Sequence, residues 1–339
     1  MATVDLKRLA KELNLAVSTV SRALRDSYEI SAETKERVFE LARKLNYQPN
    51  PYASSLRKHK SKTIAVVIPE IANNFFALAI NGIESIAQEK GYHVLIYLTH
   101  EQYQKEVAIT RHLQSGRVDG ILVSLSGETA NYDHLADLKQ KGIPIVFFDR
   151  ICETINSARI ITNDYESGFK AAEHLIEAGC RRIAYFSISG NLSISNKRMD
   201  GYLDALKKHK IKYDAAMLLQ CSSNDNDANY TSILTMLKRK KNRPDGIFAS
   251  VEKLAITSYH ACAELKLQIP KDVKIISFSN LETAALLNPS LTTITQPAFD
   301  IGKEAASVLF KILEKKSMNF SDEKIILKSN LIVRNSTGG

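Results

Sequence analysis

The chain has 339 residues and a formal net charge of +9, and this length predicts two or three domains rather than a single core. Apolar residues make up 44% of the chain, enough for a well-buried interior, but no apolar run is long enough to span a membrane. Charged residues among the first ten positions exclude the apolar core of a signal peptide, so we expect a cytoplasmic protein.

The cysteines and the distribution of charge exclude further classes. Cys152, Cys180, Cys221 and Cys262 are widely spread, without the paired spacing of a zinc or redox site, so we expect buried, reduced thiols. Residues 1–62 hold 13 Lys and Arg against 7 Asp and Glu, whereas the rest of the chain holds 33 against 30. A basic surface concentrated in the first fifth is typical of a protein that binds the phosphate backbone of nucleic acid.

The first predicted element is a pair of short helices within Val4–Leu24. Apolar residues recur there at spacings of mostly three or four, which predicts the buried stripe of two helices. Asp5 stands at an N-cap position, and Asn14, which tolerates a left-handed conformation, marks the turn between the helices. Two helices joined by a tight turn form a helix-turn-helix, and its second helix, here from about Val17, enters the DNA major groove.

A third helix is predicted from about Ala32 to Leu45, with Ser31 as its N-cap and Val38 on its inward face. This helix would close a three-helix core that holds the second helix rigidly. The basic stretch 50–60 that follows has one short apolar stripe and is marginal as an isolated helix. From its residues alone, this stretch is a flexible linker.

From residue 62 the pattern changes to short apolar runs that alternate with helices. The runs predicted as strands are 63–69, 92–98, 120–125, 143–149, 158–162, 182–188, 246–251 and 273–279, with a last strand over KIILKSNLIVR (324–334). Apolar strands that alternate with helices predict parallel sheets covered on both faces. Ligands of such sheets bind at the carboxyl ends of the strands, so two facing sheets would place a site in the cleft between them.

Several segments together carry a resemblance to one family. The second helix reads VSTVSRAL at 17–24, ISAETKERV opens the third helix, LNYQPN follows it, ASSL lies in the basic stretch, and SLTTITQP comes near the end. These segments resemble the lactose-repressor (LacI/GalR) family of bacterial transcription regulators, and the resemblance covers nearly the whole chain.

The family resemblance implies an all-α helix-turn-helix head at 1–49, a hinge helix at 50–61 and an α/β periplasmic-binding-protein-like body at 62–339. The body would consist of two parallel-sheet subdomains. The implied subdomain boundaries are about 62–161 with 292–324 for the first, and about 162–291 with 325–339 for the second.

The resemblance also implies a homodimer that represses transcription from a pseudo-palindromic operator. Arg22 would read a guanine, and Val17 would contact a thymine methyl group or another apolar base edge. In the family the hinge pairs with its copy in the minor groove, where Leu56 would be inserted between base steps. Ala16 stands where the family usually has a capping Ser or Thr, a loss of about 1 kcal/mol. The expected DNA contacts are Val17, Ser18, Thr19, Ser21, Arg22, Arg25, Ser31, Thr34, Asn50, Tyr52, Ala53, Leu56 and Arg57.

A small sugar-like effector in the cleft would control the affinity for DNA. Strand ends and the resemblance together give its expected contacts: Asn73, Phe75, Phe76, Ser124, Ser126, Asp149, Arg150, Arg198, Val251, Glu252, Ser279 and Gln296. The aromatic rings would stack on a sugar ring, and the polar groups would bind its hydroxyls.

Two departures from the family pattern bear on the charge of the effector. Ser279 replaces a common carboxylate, and Val251-Glu252 replaces a common Asn-Asp pair. Arg150 and Arg198 keep their positive charge, and a guanidinium matches a carboxylate or phosphate in a bidentate manner. The sequence therefore predicts an anionic effector, such as a sugar acid or a sugar phosphate, unless carboxylates of the protein neutralise these arginines.

Two alternatives without a DNA role share the two-sheet body. A sugar-binding protein would not need the basic head. A carbohydrate enzyme would need reactive groups, but the sequence has no Gly-rich phosphate loop, no nucleophile elbow and no metal-spaced cluster of His, Cys and Asp. We therefore expect no enzyme, no cofactor and no metal.

Overall fold

The computed structural model describes residues 5–47, 61–188, 190, 192–222, 225–314 and 323–338. The chain divides into two units, Met1–Ser61 and Lys62–Gly339. Among the described residues, no helix combines the length and the apolar character needed to cross a membrane.

The first unit contains the helices α1 (Leu6–Leu13), α2 (Val17–Ala23) and α3 (Ala32–Lys44). The Asp5 carboxylate caps α1 by accepting a hydrogen bond from a backbone N–H group, and Asn14 has the left-handed conformation that the turn requires, with φ +54°. Leu9, Val20 and Val38, one from each helix, are fully buried against one another. The predicted helix-turn-helix and its third helix are confirmed.

The second unit alternates strands and helices. Its helices are α4 (Asn74–Glu89), α5 (Tyr103–Leu113), α6 (Asp133–Gln140), α7 (Asp164–Glu177), α8 (Ser193–Lys208), α9 (Asn226–Leu237), α10 (Glu252–Glu264) and α11 (Ala298–Glu314). Its strands are β1 (Thr63–Ile68), β2 (His93–Leu98), β3 (Gly120–Val123), β4 (Ile145–Phe148), β5 (Ala158–Thr162), β6 (Ile183–Ser187), β7 (Leu218–Gln220), β8 (Gly246–Ala249), β9 (Lys274–Phe278), β10 (Thr292–Thr295), β11 (Lys324–Leu327) and β12 (Asn330–Ile332).

These strands form two six-stranded sheets, in the orders β11-β5-β4-β3-β1-β2 and β12-β10-β9-β8-β6-β7. The first sheet is parallel throughout, and the second is parallel except that β12 runs antiparallel to β10. Alternate residues of β1, such as Val66 and Val67, belong to two different apolar clusters, so helices cover both faces as predicted. The edge strand β2 is an exception, since Leu95 and Ile96 are exposed.

The chain passes between the two sheets three times, after Thr162, after Thr295 and after Leu327. These passages lie within one to four residues of the boundaries expected at about 161, 292 and 324. The expected last strand is wrong, because KIILKSNLIVR forms β11 in the first sheet and β12 in the second. A short apolar run joins the sheet whose edge strand lies next to it in the folded protein. Its own residues do not specify that neighbouring strand.

Two close helix crossings position the elements around the cleft. A Cβ atom at Gly302 on α11 would lie 1.9 Å from the Ala79 carbonyl oxygen on α4, and one at Gly201 on α8 would lie 2.2 Å from that of Tyr165 on α7. Only glycine permits these approaches, because any Cβ would overlap backbone atoms. The second crossing holds the helix that carries Arg198.

Candidate functional site

A cavity of about 40 Å³ lies between the carboxyl ends of the strands of the two sheets. Ten of the twelve side chains expected at an effector site line it: Asn73, Phe75, Phe76, Asp149, Arg150, Arg198, Val251, Glu252, Ser279 and Gln296. Ile194, Phe278 and Asn280, which sequence reasoning missed, also line it. The cavity has room for about three water molecules.

A wider cavity of about 720 Å³ continues outward from this one. Asn73, Arg150, Val251 and Glu252 line both cavities, so one ligand could contact the inner and the outer spaces. The outer lining comes mostly from α9 and α10, and includes Asp227, Tyr230, Thr257 and His260.

Ser124 and Ser126 do not belong to the site. Both are fully buried, and neither lines either cavity, so their expected effector contacts are wrong. The Ser126 hydroxyl donates to the Thr99 hydroxyl at 2.6 Å, and its backbone N–H donates to the Glu106 carboxylate at 2.8 Å. The loop after β3 therefore turns into the protein, away from the cavity.

Arg150 follows β4 and is buried at the cavity wall. Its Nη1 donates to both carboxylate oxygens of Glu101 at 2.8 Å. Its Nε lies 3.9 Å from the Asp149 carboxylate and has no hydrogen-bond partner among the described residues. Burial by itself lowers the pKa of Arg150, but the two carboxylates more than offset this, and the net pKa is raised.

Arg198 projects from α8 into the opposite wall. Its Nε donates to the Asp164 carboxylate at 2.7 Å, and its Nη1 donates to the Ser250 carbonyl at 2.7 Å. The guanidinium also stacks over the Phe278 ring at 3.7 Å from its centroid. Both members of the ion pair are about 3% exposed, so this arginine is held within the protein.

Asp149 lines the cavity and has a left-handed backbone conformation, with φ +59°. Burial raises the pKa of its carboxyl to about 6, although Arg198 and Arg150 partly oppose the shift. The Gln296 side chain donates to this carboxylate at 3.4 Å and to the Thr162 hydroxyl at 3.3 Å. Gln296 thus joins two of the points at which the chain passes between the sheets.

Glu252 bridges the two walls of the cleft. Its carboxylate accepts a hydrogen bond from the Ser279 hydroxyl at 2.6 Å and another from the Asn74 amide at 2.7 Å. Asn74 begins α4 on the first sheet, whereas Ser279 follows β9 of the second. Ser279 stands where the family commonly has a carboxylate, and here the Glu252 carboxylate lies beside it instead.

The charges around the cavity remove the reason for expecting an anionic effector. Arg150 and Arg198 are both paired with carboxylates, those of Glu101 and Asp164, and Asp149 adds a further negative charge when it is ionised. Sequence reasoning missed Glu101 and Asp164, because nothing in the sequence places them beside the arginines. Carboxylates thus neutralise both guanidinium groups.

The first unit exposes the face of α2 that was predicted to enter the major groove. Val17, Ser18 and Arg22 are exposed there, and so is Arg25, which follows the helix. Arg22 pairs with Glu29 at 2.9 Å, and both side chains are about half exposed, so exchange of this contact for one to DNA costs about 1 kcal/mol or less.

The other expected DNA contacts of the head differ in their surroundings. Thr19, Ser21 and Thr34 are partly buried, and the Ser31 hydroxyl caps α3. Ala16 precedes α2 without a side-chain cap, as its sequence requires. The expected hinge contacts lie outside the described residues: Asn50, Tyr52, Ala53, Leu56 and Arg57.

The four cysteines are buried free thiols, as predicted. Burial raises the pKa of Cys180 and Cys262 to about 12 and that of Cys221 to about 11. Within the described ranges, no three His, Cys, Asp or Glu side chains form a group that could hold a metal ion.

Comparison with known proteins gives matches for the segment that contains α2 and for a large part of the body that forms the cavity. Residues 5–50 match the family model described as bacterial regulatory proteins of the lacI family, and residues 172–337 match that of a periplasmic binding protein-like domain. The chain is 32% identical over 319 residues to the ribose operon repressor of Bacillus subtilis (strain 168), covering 94% of each chain.

Two solved structures show the same fold. A LacI family transcriptional regulator from Enterococcus faecium with bound ribose is 26% identical, with a TM-score of 0.70 over 81% of this chain and 98% of that one. The lac repressor dimer bound to operator and the anti-inducer ONPF has a TM-score of 0.84 over 99% of both chains. At 20% identity, this second likeness is one of fold alone.

Proposed function

Because this chain belongs to the LacI family of bacterial regulatory proteins, we propose that it represses transcription as a homodimer on a pseudo-palindromic operator, under the control of a neutral sugar. The observation that carries the DNA part is the exposed face of α2 on a basic head. Such a regulator would act in the cytoplasm, where bacterial DNA lies.

In the proposed complex, residues 1–49 form the head and residues 50–61 the hinge. Arg22 reads a guanine through a bidentate contact, and Val17 contacts an apolar base edge. Thr19, Ser21 and Arg25 contact phosphates, which fix the register of the protein without reading the sequence.

A pseudo-palindromic operator has two half-sites, so the proposed complex contains two heads and hence two copies of the chain. The exposed Leu95 and Ile96 on the edge strand β2 support an interface there, because an uncovered apolar edge favours pairing with a second copy.

The paired arginines support a neutral ligand. Glu101 and Asp164 already neutralise Arg150 and Arg198, whereas the Asp149 carboxylate and the Gln296 amide offer the acceptors and donors that bind hydroxyl groups. The B. subtilis relative is named for the ribose operon, and the E. faecium structure holds ribose. A sugar bound between the two sheets would change their closure and, by linkage, the affinity for DNA.

The proposal is tested by selecting operator DNA from a random pool and measuring binding by fluorescence anisotropy. Arg22→Ala should weaken operator binding about 5- to 150-fold, because a bidentate contact to guanine is worth about 1–3 kcal/mol. Affinity should also fall steeply as salt rises. Glu29→Gln, which removes only the partner of Arg22, is the matched control and should retain operator binding. Failure to select any preferred sequence would contradict the proposal.

A further inference from the structure

Glu101 is fixed beside the cleft but does not line either cavity. It follows β2, and both His100 and Glu101 adopt left-handed conformations, with φ +51° and +62°, which side chains rarely adopt. The carboxylate is 4% exposed, accepts both contacts from Arg150, and accepts the Gly127 backbone N–H at 2.7 Å. Backbone and hydrogen bonds together therefore place this carboxylate behind the guanidinium.

We propose that Glu101 determines the charge of the ligand that the cleft accepts. Glu101 neutralises Arg150 from the side away from the cavity, and Asp164 neutralises Arg198. In the inner cavity, therefore, an incoming carboxylate or phosphate meets Asp149 and Glu252, while both arginines of the lining are already paired. A neutral polyhydroxy ligand has no such repulsion, because its hydroxyl groups can donate to these carboxylates. This inference rests on the proposed function in one respect, that the cleft is the ligand site.

Glu101→Gln is a suitable variant because its neighbour Glu106 holds the same loop independently. The Glu106 carboxylate accepts the Ser126 backbone N–H at 2.8 Å and the Thr129 hydroxyl at 3.0 Å. The glutamine carbonyl can still accept the Gly127 N–H, so the substitution changes charge more than shape. Glu128→Gln is the matched control, since Glu128 lies on the same loop and is exposed.

The test is thermal unfolding of the full chain at pH 7.5 with inorganic phosphate as the probe, against sodium chloride at equal ionic strength. Phosphate should raise the Tm of the wild type and of Glu128→Gln by the same small amount beyond the chloride control, because phosphate stabilises folded proteins generally and can bind the basic head. It should raise the Tm of Glu101→Gln by about 2 °C or more beyond that amount, because an anion that binds only the folded state stabilises it. Adding Arg150→Gln to Glu101→Gln should abolish this additional rise.

Two results would overturn the proposal: a phosphate effect in the wild type that Arg150→Gln removes, or a folded Glu101→Gln variant with no additional rise. If Glu101→Gln does not fold, the Tm of the wild type with ribose or with ribose 5-phosphate provides the test. A rise with ribose 5-phosphate but not with ribose would overturn the proposal. A rise with ribose but not with ribose 5-phosphate would support it. Stabilisation by no neutral sugar would count against the proposed ligand class, while the phosphate comparison would still test Glu101.

Discussion

Each half of the body contributes one buried arginine to the cavity, and the two arginines are held differently. Arg198 lies on a helix, where Asp164, the Ser250 carbonyl and the Phe278 ring contact it. Arg150 lies on a loop, where Glu101, the Leu125 carbonyl and the Phe76 ring contact it. Arg150 lines both cavities, whereas Arg198 lines only the inner one. We therefore expect Arg198 to stabilise the wall of the cleft and Arg150 to contact the ligand.

The largest effect should come from removing the charge partner of Arg198. Asp164→Asn leaves a buried guanidinium without its nearest carboxylate, and breaking a buried pair in this way costs about 3–5 kcal/mol. Urea unfolding would measure the loss. Asp204→Asn, at an exposed site on α8, should change stability by less than about 1 kcal/mol. A loss at Asp164 no larger than that of the control would contradict the structural role of Arg198.

The carboxyl next to Arg150 should give the protein a pH dependence. Burial raises the pKa of Asp149 to about 6, so between pH 4 and 6 the folded state holds more protons than the unfolded state. The contribution of Asp149 to stability is therefore full below about pH 4, at about 3 kcal/mol, and is lost as the pH rises through 6. About 2 kcal/mol of it is lost between pH 4.5 and 7.5. Unfolding free energies at pH 4.5 and 7.5 should show this fall in the wild type and not in Asp149→Asn. An equal pH dependence in both proteins would show that Asp149 has an ordinary pKa.

Each half of the body has one close helix crossing at a glycine, and an alanine there should reduce both the stability and the ligand affinity of the protein. Gly201→Ala and Gly302→Ala should each cost about 1–3 kcal/mol, because the added methyl group overlaps a carbonyl oxygen of the facing helix. Gly201→Ala moves the helix that carries Arg198, and Gly302→Ala moves the helix that carries Phe75 and Phe76, so both should also weaken ligand binding. Thermal unfolding gives the stability loss, and calorimetry with the ligand gives the affinity. A Gly201→Ala variant with the ligand affinity of the wild type would show that Arg198 does not depend on this crossing.

The smallest effect should come from the hydrogen bond that joins the two halves. Glu252→Gln weakens the acceptor for the Asn74 amide, a loss of about 1 kcal/mol or less at this partly exposed site. Hydrogen exchange should rise at the start of α4 and after β9 while the remaining core is unchanged. Glu264→Gln is the control, because Glu264 lies on the same helix and contacts Tyr230 within one half. Equal exchange in both variants would exclude a role for Glu252 in closure.

The sequence by itself determined the local structure and most of the site. Caps such as Asp5 and Ser31 fix helix starts through contacts within three residues, which a sequence displays directly. Ten cavity residues were predicted from strand ends, which meet at one edge of a parallel sheet, together with the resemblance to the family. Arg198, which lies on a helix, was predicted from the resemblance alone.

Only the tertiary structure decided the charge of the cavity and the exact points at which the chain passes between the sheets. Glu101 lies 49 residues before Arg150, and Asp164 lies 34 residues before Arg198. Electrostatic interaction depends on distance in space, so no spacing in the sequence shows which carboxylate neutralises which arginine. For the same reason, residues that look like free cations in the sequence become paired groups in the folded protein.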